Sequence, residues 1–159
     1  QERTGQAVAP PSRAESFVVN GKMALPYQYF AGAVGSRFVV ALRDERRILG
    51  VRCPECELTF VPPRASCERC FARLDDCWTE VEATGEVVGC TVIRYREPYQ
   101  PKEPPYVLGL IKLDGADTPL AHIVETDAPE SVRPGLRVRA EFAADAPDNV
   151  LAIRGFAPA

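Results

Sequence analysis

Residues 53–70 read Cys53-Pro54-Glu55-Cys56, ten further residues, then Cys67-Glu68-Arg69-Cys70. Each Cys-x-x-Cys pair forms a tight knuckle whose two thiolates converge on one point. A hairpin then brings the knuckles together as a tetrahedral cage, with metal–sulfur distances of about 2.3 Å. The ten intervening residues suffice for two short strands and a turn, and Pro62-Pro63 favours an extended approach to it. Structural zinc is the expected occupant, although the same thiolates could hold iron. Buried free thiols or a pair of redox dithiols are the plainer alternatives, but paired spacing is far more specific than a cysteine count.

The other two cysteines stand outside this pattern. Cys90 alternates with Val88 and Val92, which suits a small buried hydrophobe. Cys77 precedes the only tryptophan, Trp78, and ends the ribbon. Neither has a local motif that would make it a nucleophile.

Composition narrows the class. The chain has 159 residues, enough for a core that buries roughly 68–70% of the unfolded surface. Hydrophobic residues at 46% and charged residues at 26% are ordinary globular values. Nineteen Lys and Arg against 22 Asp and Glu give a net charge of −3, which argues against a protein built to grip nucleic-acid phosphates. The longest apolar runs, Phe38–Leu42 and Val107–Ile111, are far short of a membrane span. Residues 1–22 show no positive start followed by an apolar stretch. The expectation is a cytoplasmic protein that meets neither membrane nor nucleic acid. His122 is the only histidine and hence the only imidazole base for any triad.

Outside the ribbon the chain divides into an extended N-terminal arm (1–26), a helical segment (27–47), the ribbon itself (48–77) and a β-rich region (78–159). Tyr27, Phe30, Ala31, Val34 and Phe38 recur at helical spacing, and Gly32 and Gly35 predict two short helical pieces or a bent one. Arg43 to Arg47 ends the helix on a solvated turn, and 46–52 leads as a strand into the first knuckle. After Trp78 the period changes to two, with strand candidates at Glu86–Tyr95, Tyr106–Leu113, Pro119–Glu125, Arg137–Phe142 and Val150–Phe156. Tyr106–Leu113 is apolar on both faces, which predicts a strand covered on both sides. Five short strands in about 80 residues fit a Greek-key barrel of the OB type. An incomplete six-stranded barrel or a small sandwich fits the same strands. The fold class is therefore mainly β with short N-terminal helices, a rubredoxin-like zinc ribbon leading into a five-stranded OB-type barrel.

In this order, the helical piece, the ribbon with Pro62-Pro63-Arg64, and Trp78-Thr79-Glu80 resemble the zinc-ribbon/OB-fold acyl-CoA-associated protein family. Pro105-Tyr106-Val107 with Leu110, and Arg133-Pro134-Gly135 with Val138 and Phe142, extend the resemblance over roughly residues 27–156. Tyr29-Phe30-Ala31-Gly32, Ser36-Arg37-Phe38 and Leu42-Arg43-Asp44 look like the small subunits of thiolases that cleave benzoylsuccinyl-CoA in anaerobic toluene degradation. Many family members have glycine after each knuckle, where this chain has Glu57 and Phe71; the departure bears on loop geometry more than on metal binding. The resemblance implies a non-catalytic subunit in a hetero-oligomer with a thiolase-like partner. That partner carries the catalytic cysteine and histidine, and mainly binds the CoA or acyl-CoA.

The residues themselves are consistent with such a role. A cage closed by four thiolates leaves no open position for substrate, and no acid/base pair occurs at a recognisable spacing. Tyr95, Tyr99 and Tyr106 flank a proline-rich loop suited to docking, although an ordinary barrel loop has the same composition. Arg94, Arg96, Arg137 and Arg139 are the weak candidates for CoA phosphates, each more simply a solvated surface residue. Two other classes stay open: a single-strand nucleic-acid-binding ribbon and barrel, and a rubredoxin-like electron carrier.

Overall fold

The computed structural model describes residues 18–21, 23, 25 and 27–159; most of the arm expected over 1–26 lies outside the described residues. Strand β1 (Ile48–Arg52) organises the first layer, because four of its five residues are buried. It pairs antiparallel with β2 (Thr59–Phe60) on one side and β3 (Trp78–Val81) on the other. Residues 78–81 thus pair with the ribbon's own strand before the chain enters the barrel.

Helix α1 (Gly32–Val40) and a π-helical turn (Ala41–Glu45) precede β1. Two joined helical pieces match the expectation, but the start does not. Gly32 takes φ +74, a left-handed conformation that interrupts a right-handed helix running in from Tyr27. Tyr27 and Phe30, expected on a helix face, therefore stand before the helix and exposed to solvent. Phe38, Ala41 and Leu42 are the residues of this segment that reach the core. Arg46 in the left-handed region ends the turn, with Arg47 N–H donating to Ala41 O at 3.1 Å.

The remaining strands close a barrel in the order β4-β5-β6-β8-β7. They are β4 (Thr84–Ile93), β5 (Tyr106–Leu113), β6 (Leu120–Val124), β7 (Arg137–Phe142) and β8 (Ile153–Pro158). β4 is long enough to pair with both β5 and β7, and β6 meets β8 in parallel. This is the five-stranded OB topology, and closure removes the free sheet edges. A Cβ at Gly85 would lie 2.4 Å from Lys112 O, so the crossing of β4 over β5 requires glycine there. The inward residues Val87, Val107, Ile111, Val124, Val138, Ile153 and Phe156 form one core with Leu42 and Ile48. Burying each such side chain stabilises the fold by about 1.5–3 kcal/mol.

Two sequence expectations fail on the barrel wall, for related reasons. A β-bulge between Val87 and Gly89 sets Val87 inside, and leaves Val88 and Cys90 facing solvent. Cys90 is therefore not a buried hydrophobe. The outer face of Tyr106–Leu113 is covered only at Tyr106: Leu108 and Leu110 are 40% and 46% exposed. Their strand neighbours on that outer face are Thr91 and Gly89 on β4 and Ile123 and Ala121 on β6.

His122 is a core residue. It is 3% exposed and lies edge-on to Phe156, with ring centroids 5.5 Å apart. Ile123 N–H donates to Nδ1 at 2.9 Å, so the ring proton sits on Nε2 and is donated to Val150 O at 3.2 Å. Burial holds its pKa below the usual 6.5. An unfolded chain then binds a proton near pH 6.5 that the folded chain refuses, so this contribution is complete above that pH and is lost as pH falls. Urea unfolding is expected to show stability declining below about pH 6.5, and His122→Gln to decline less steeply than wild type over the same window.

Candidate metal centre

The two knuckles have the same backbone pattern. Cys53 N–H donates to Leu58 O (2.8 Å) and Glu57 N–H to Cys53 O (2.9 Å). In the second knuckle Cys67 N–H donates to Ala72 O (2.9 Å) and Phe71 N–H to Cys67 O (3.0 Å). Turning the chain this tightly puts the residue after each second cysteine at positive φ: Glu57 at 58° and Phe71 at 61°. Neither is glycine, so each costs about 1 kcal/mol or more against a glycine at the same place. The loops keep the knuckle geometry in spite of the substitution.

The four sulfurs of Cys53, Cys56, Cys67 and Cys70 lie within 4.8 Å of one another. A tetrahedral ion with bonds of about 2.3 Å needs sulfur separations of about 3.8 Å; the Cys53 and Cys70 sulfurs stand 3.5 Å apart, so small adjustments bring the four to that geometry. Cys53 and Cys67 are buried against Val51, Phe60 and Leu74, whereas Cys56 is half-buried and Cys70 faces solvent. Backbone N–H groups already point at the sulfurs: Cys56 N–H to Cys53 and Arg69 N–H to Cys67, both at 3.4 Å. The N–H groups of Cys70 and Arg69 pull the Cys67 thiol down to about 7. Burial, then the neighbouring Cys70 and Cys67 thiols, push Cys56 up to about 12. Four thiolates this close cannot ionise together without a cation between them, and a soft divalent ion supplies that charge. The residues fit a metal.

The ribbon is also tied to the barrel. β2 pairs with β1 along one edge only, and its other edge is satisfied by the turn between β5 and β6. Thr59 N–H donates to Asp117 Oδ2 and Asp117 N–H to Thr59 O, each at 2.8 Å. Val61 N–H donates to Thr118 Oγ1 at 2.9 Å, and that hydroxyl donates to Val61 O at 3.0 Å. Asp117 and Thr118 act as a short artificial strand. Sequence periodicity did not single them out, because the contact spans nearly 60 residues and leaves no local pattern. Trp78 packs against both the ribbon and the barrel cores.

Residues 40–75 match the rubredoxin-like zinc ribbon domain of ChsH2, and residues 78–143 match the ChsH2 C-terminal OB-fold domain. The chain belongs to the zinc-ribbon/OB-fold DUF35 family. A DUF35 domain-containing scaffold protein of Methanocaldococcus jannaschii is 27% identical over 101 residues, 64% of this chain and 71% of that one. The solved structure described as the Ltp2-ChsH2(DUF35) aldolase matches with a TM-score of 0.58 and 26% identity, covering 77% of this chain and 91% of that chain. A DUF35 protein of unknown function from Sulfolobus solfataricus shares the fold, with a TM-score of 0.55 at 24% identity over 69% of this chain and 78% of that one. No helix among the described residues is long and apolar enough to cross a membrane.

Within this DUF35 fold the four candidate arginines do not share a site. Arg137 and Arg139 lie on β7 opposite Glu86 and Thr84, at the start of β4. Arg94 and Arg96 follow the end of β4, about 30 Å along the strand. Arg137 is held by Asp114 at 2.9 and 2.5 Å, and the paired guanidinium, then Thr84, lower that carboxyl to about 2. Arg94 pairs with Glu130, and Arg96 with Glu103 at 2.9 Å. Cys77 is half-buried beside the ribbon core, outside the cage.

Serine in place of Cys53, Cys56, Cys67 or Cys70 is expected to release the metal and unfold the ribbon, whereas Cys77→Ala and Cys90→Ala keep one metal per chain by elemental analysis. Because metal binding is coupled to folding, the distant clip is expected to be felt at the cage. Thr118→Val combined with Asp117→Ala removes three side-chain hydrogen bonds and should weaken zinc binding by up to about a hundredfold in a competition titration, at roughly 1 kcal/mol per net hydrogen bond lost.

Proposed function

We propose that this chain is the non-catalytic, zinc-binding subunit of a thiolase-like acyl-CoA enzyme complex. Cys53, Cys56, Cys67 and Cys70 hold one structural zinc, and the chain supports assembly and the acyl-CoA site of its partner. The observation that carries this reading is the match over 91% of a chain in the solved structure described as the Ltp2-ChsH2(DUF35) aldolase. The scaffold description of the Methanocaldococcus jannaschii relative points the same way.

The chain's own chemistry supports an accessory role. Its single imidazole lies in the barrel core, where burial lowers its pKa and both ring nitrogens are taken up by backbone partners. Four thiolates complete a tetrahedral ion's coordination, so the metal offers no position to a substrate. Of the arginines considered for CoA, three are already neutralised by carboxylates. The outer wall of β4 and β5 presents Val88, Leu108 and Leu110, where a single-strand binder presents basic and aromatic side chains.

The reaction assigned to the complex is thiolytic cleavage of a β-ketoacyl-CoA such as benzoylsuccinyl-CoA: the partner's cysteine takes the acyl group as one carbon–carbon bond breaks, and free CoA accepts it. A second reading, retro-aldol cleavage by the partner, is favoured by the aldolase in the ChsH2 structure's description. The two differ in whether CoA is consumed. Co-expression with a thiolase-like subunit is expected to give a stable hetero-oligomer by native mass measurement, and only that assembly should cleave the substrate. CoA-dependent formation of two thioesters from a β-ketoacyl-CoA supports thiolysis; CoA-independent cleavage of a β-hydroxyacyl-CoA, releasing an aldehyde or ketone, supports the second reading. Activity of the purified single chain, or a chain that ignores every thiolase-like subunit, overturns the accessory role.

A further inference from the structure

The two knuckles are twins in backbone but not in surface. At the left-handed position of the first stands Glu57, a charged residue that reaches Arg52 at 3.5 Å. The same position in the second is Phe71, which is 80% exposed. A bulky aromatic side chain at φ +61 is unfavourable for the backbone, and its exposure is unfavourable for the ring. Glycine or a polar residue would meet every structural need of the turn. Residues kept in such conformations against local preference mark places where the side chain is used.

The setting of Phe71 indicates the use. The hairpin that carries it is otherwise polar outside, with ion pairs Arg64–Glu68 and Arg73–Asp75. An apolar ring inside a charged border is the layout of a protein–protein anchor, where one aromatic fills a pocket and a polar rim excludes water. The neighbouring Cys70 is the one exposed residue of the four cage cysteines. A surface closing over Phe71 would therefore also cover the open side of the cage.

We propose that Phe71 is the anchor by which the ribbon docks into an apolar pocket of the thiolase-like partner subunit. This rests on the accessory-subunit reading above, and adds which residue the partner grips. Docking then both joins the subunits and shields the metal from solvent.

The test separates ring from backbone. Phe71→Gly and Glu57→Gly remove the same strain, so both full-length variants are expected to melt about 2–4 °C above wild type with zinc bound. Only Phe71→Gly should weaken association with the partner, by about tenfold or more in a binding titration. Chelator removal of zinc should be slowed in the wild-type complex, and less so with Phe71→Gly. Wild-type affinity in Phe71→Gly overturns the proposal, as does equal weakening by Glu57→Gly or a lowered melting point in Phe71→Gly, which would make the ring part of the fold. A dimer of the isolated chain that Phe71→Gly dissolves would place the ring in a second copy and overturn it too. If the wild-type chain binds no thiolase-like subunit, the accessory reading fails and this proposal with it.

Discussion

Four sulfurs within 4.8 Å of one another set the terms for the first half of this protein. Their charges repel, their burial beside Phe60 and Leu74 raises the cost, and only a cation at the centre reverses the balance. Each knuckle is short, and without the cross-link nothing but a few backbone hydrogen bonds would hold it closed. The ribbon core is small, and two of its buried members are the cage cysteines Cys53 and Cys67 themselves. A metal held by these four sulfurs would bind as this layer folds.

That event is not confined to the ribbon. Leu58, which accepts from Cys53, leads directly into β2, and β2 is clasped by Asp117 and Thr118 from the barrel. Trp78 spans both cores, with the Arg37 guanidinium 4.5 Å above its ring. The barrel closes without free edges, but its core is shared with Phe38, Leu42, Ile48 and Val61 from the layer before it. The dependence therefore runs both ways: the barrel's core is completed by the helix and β1, and β2 is held by the barrel's clip.

The outward surface is where the molecule departs from a self-sufficient domain. Leu108 and Leu110 face solvent in a wall with no second layer, and Phe71 stands out from the ribbon. Meanwhile most charged groups among the described residues are turned on one another as surface ion pairs, which solvent screens. Such a surface offers little for chemistry and much for contact. It fits a family whose members include a scaffold protein and a partner in an aldolase assembly.

Much of this was legible in the residues alone. Paired Cys-x-x-Cys spacing is local chemistry, and strands Arg137–Phe142, marked by alternation, and Tyr106–Leu113, marked by an apolar run, come out at the residues expected. The C-terminal strand begins three residues later than alternation suggests, because Asn149 caps a 3₁₀ turn at Val150–Ala152 by accepting from Leu151 N–H at 2.8 Å. Helical spacing from Tyr27 was overruled by a single left-handed glycine. What sequence by itself determined was the cage, the strand count and the order of the layers, since each depends on near neighbours and on a period of two. Which face of β4 and β5 meets water, the burial of His122, the scatter of the four arginines and the clip on β2 belong to the tertiary structure. Each arises where chain segments far apart in sequence meet, and a bulge or a turn there sets side-chain direction without any local signal.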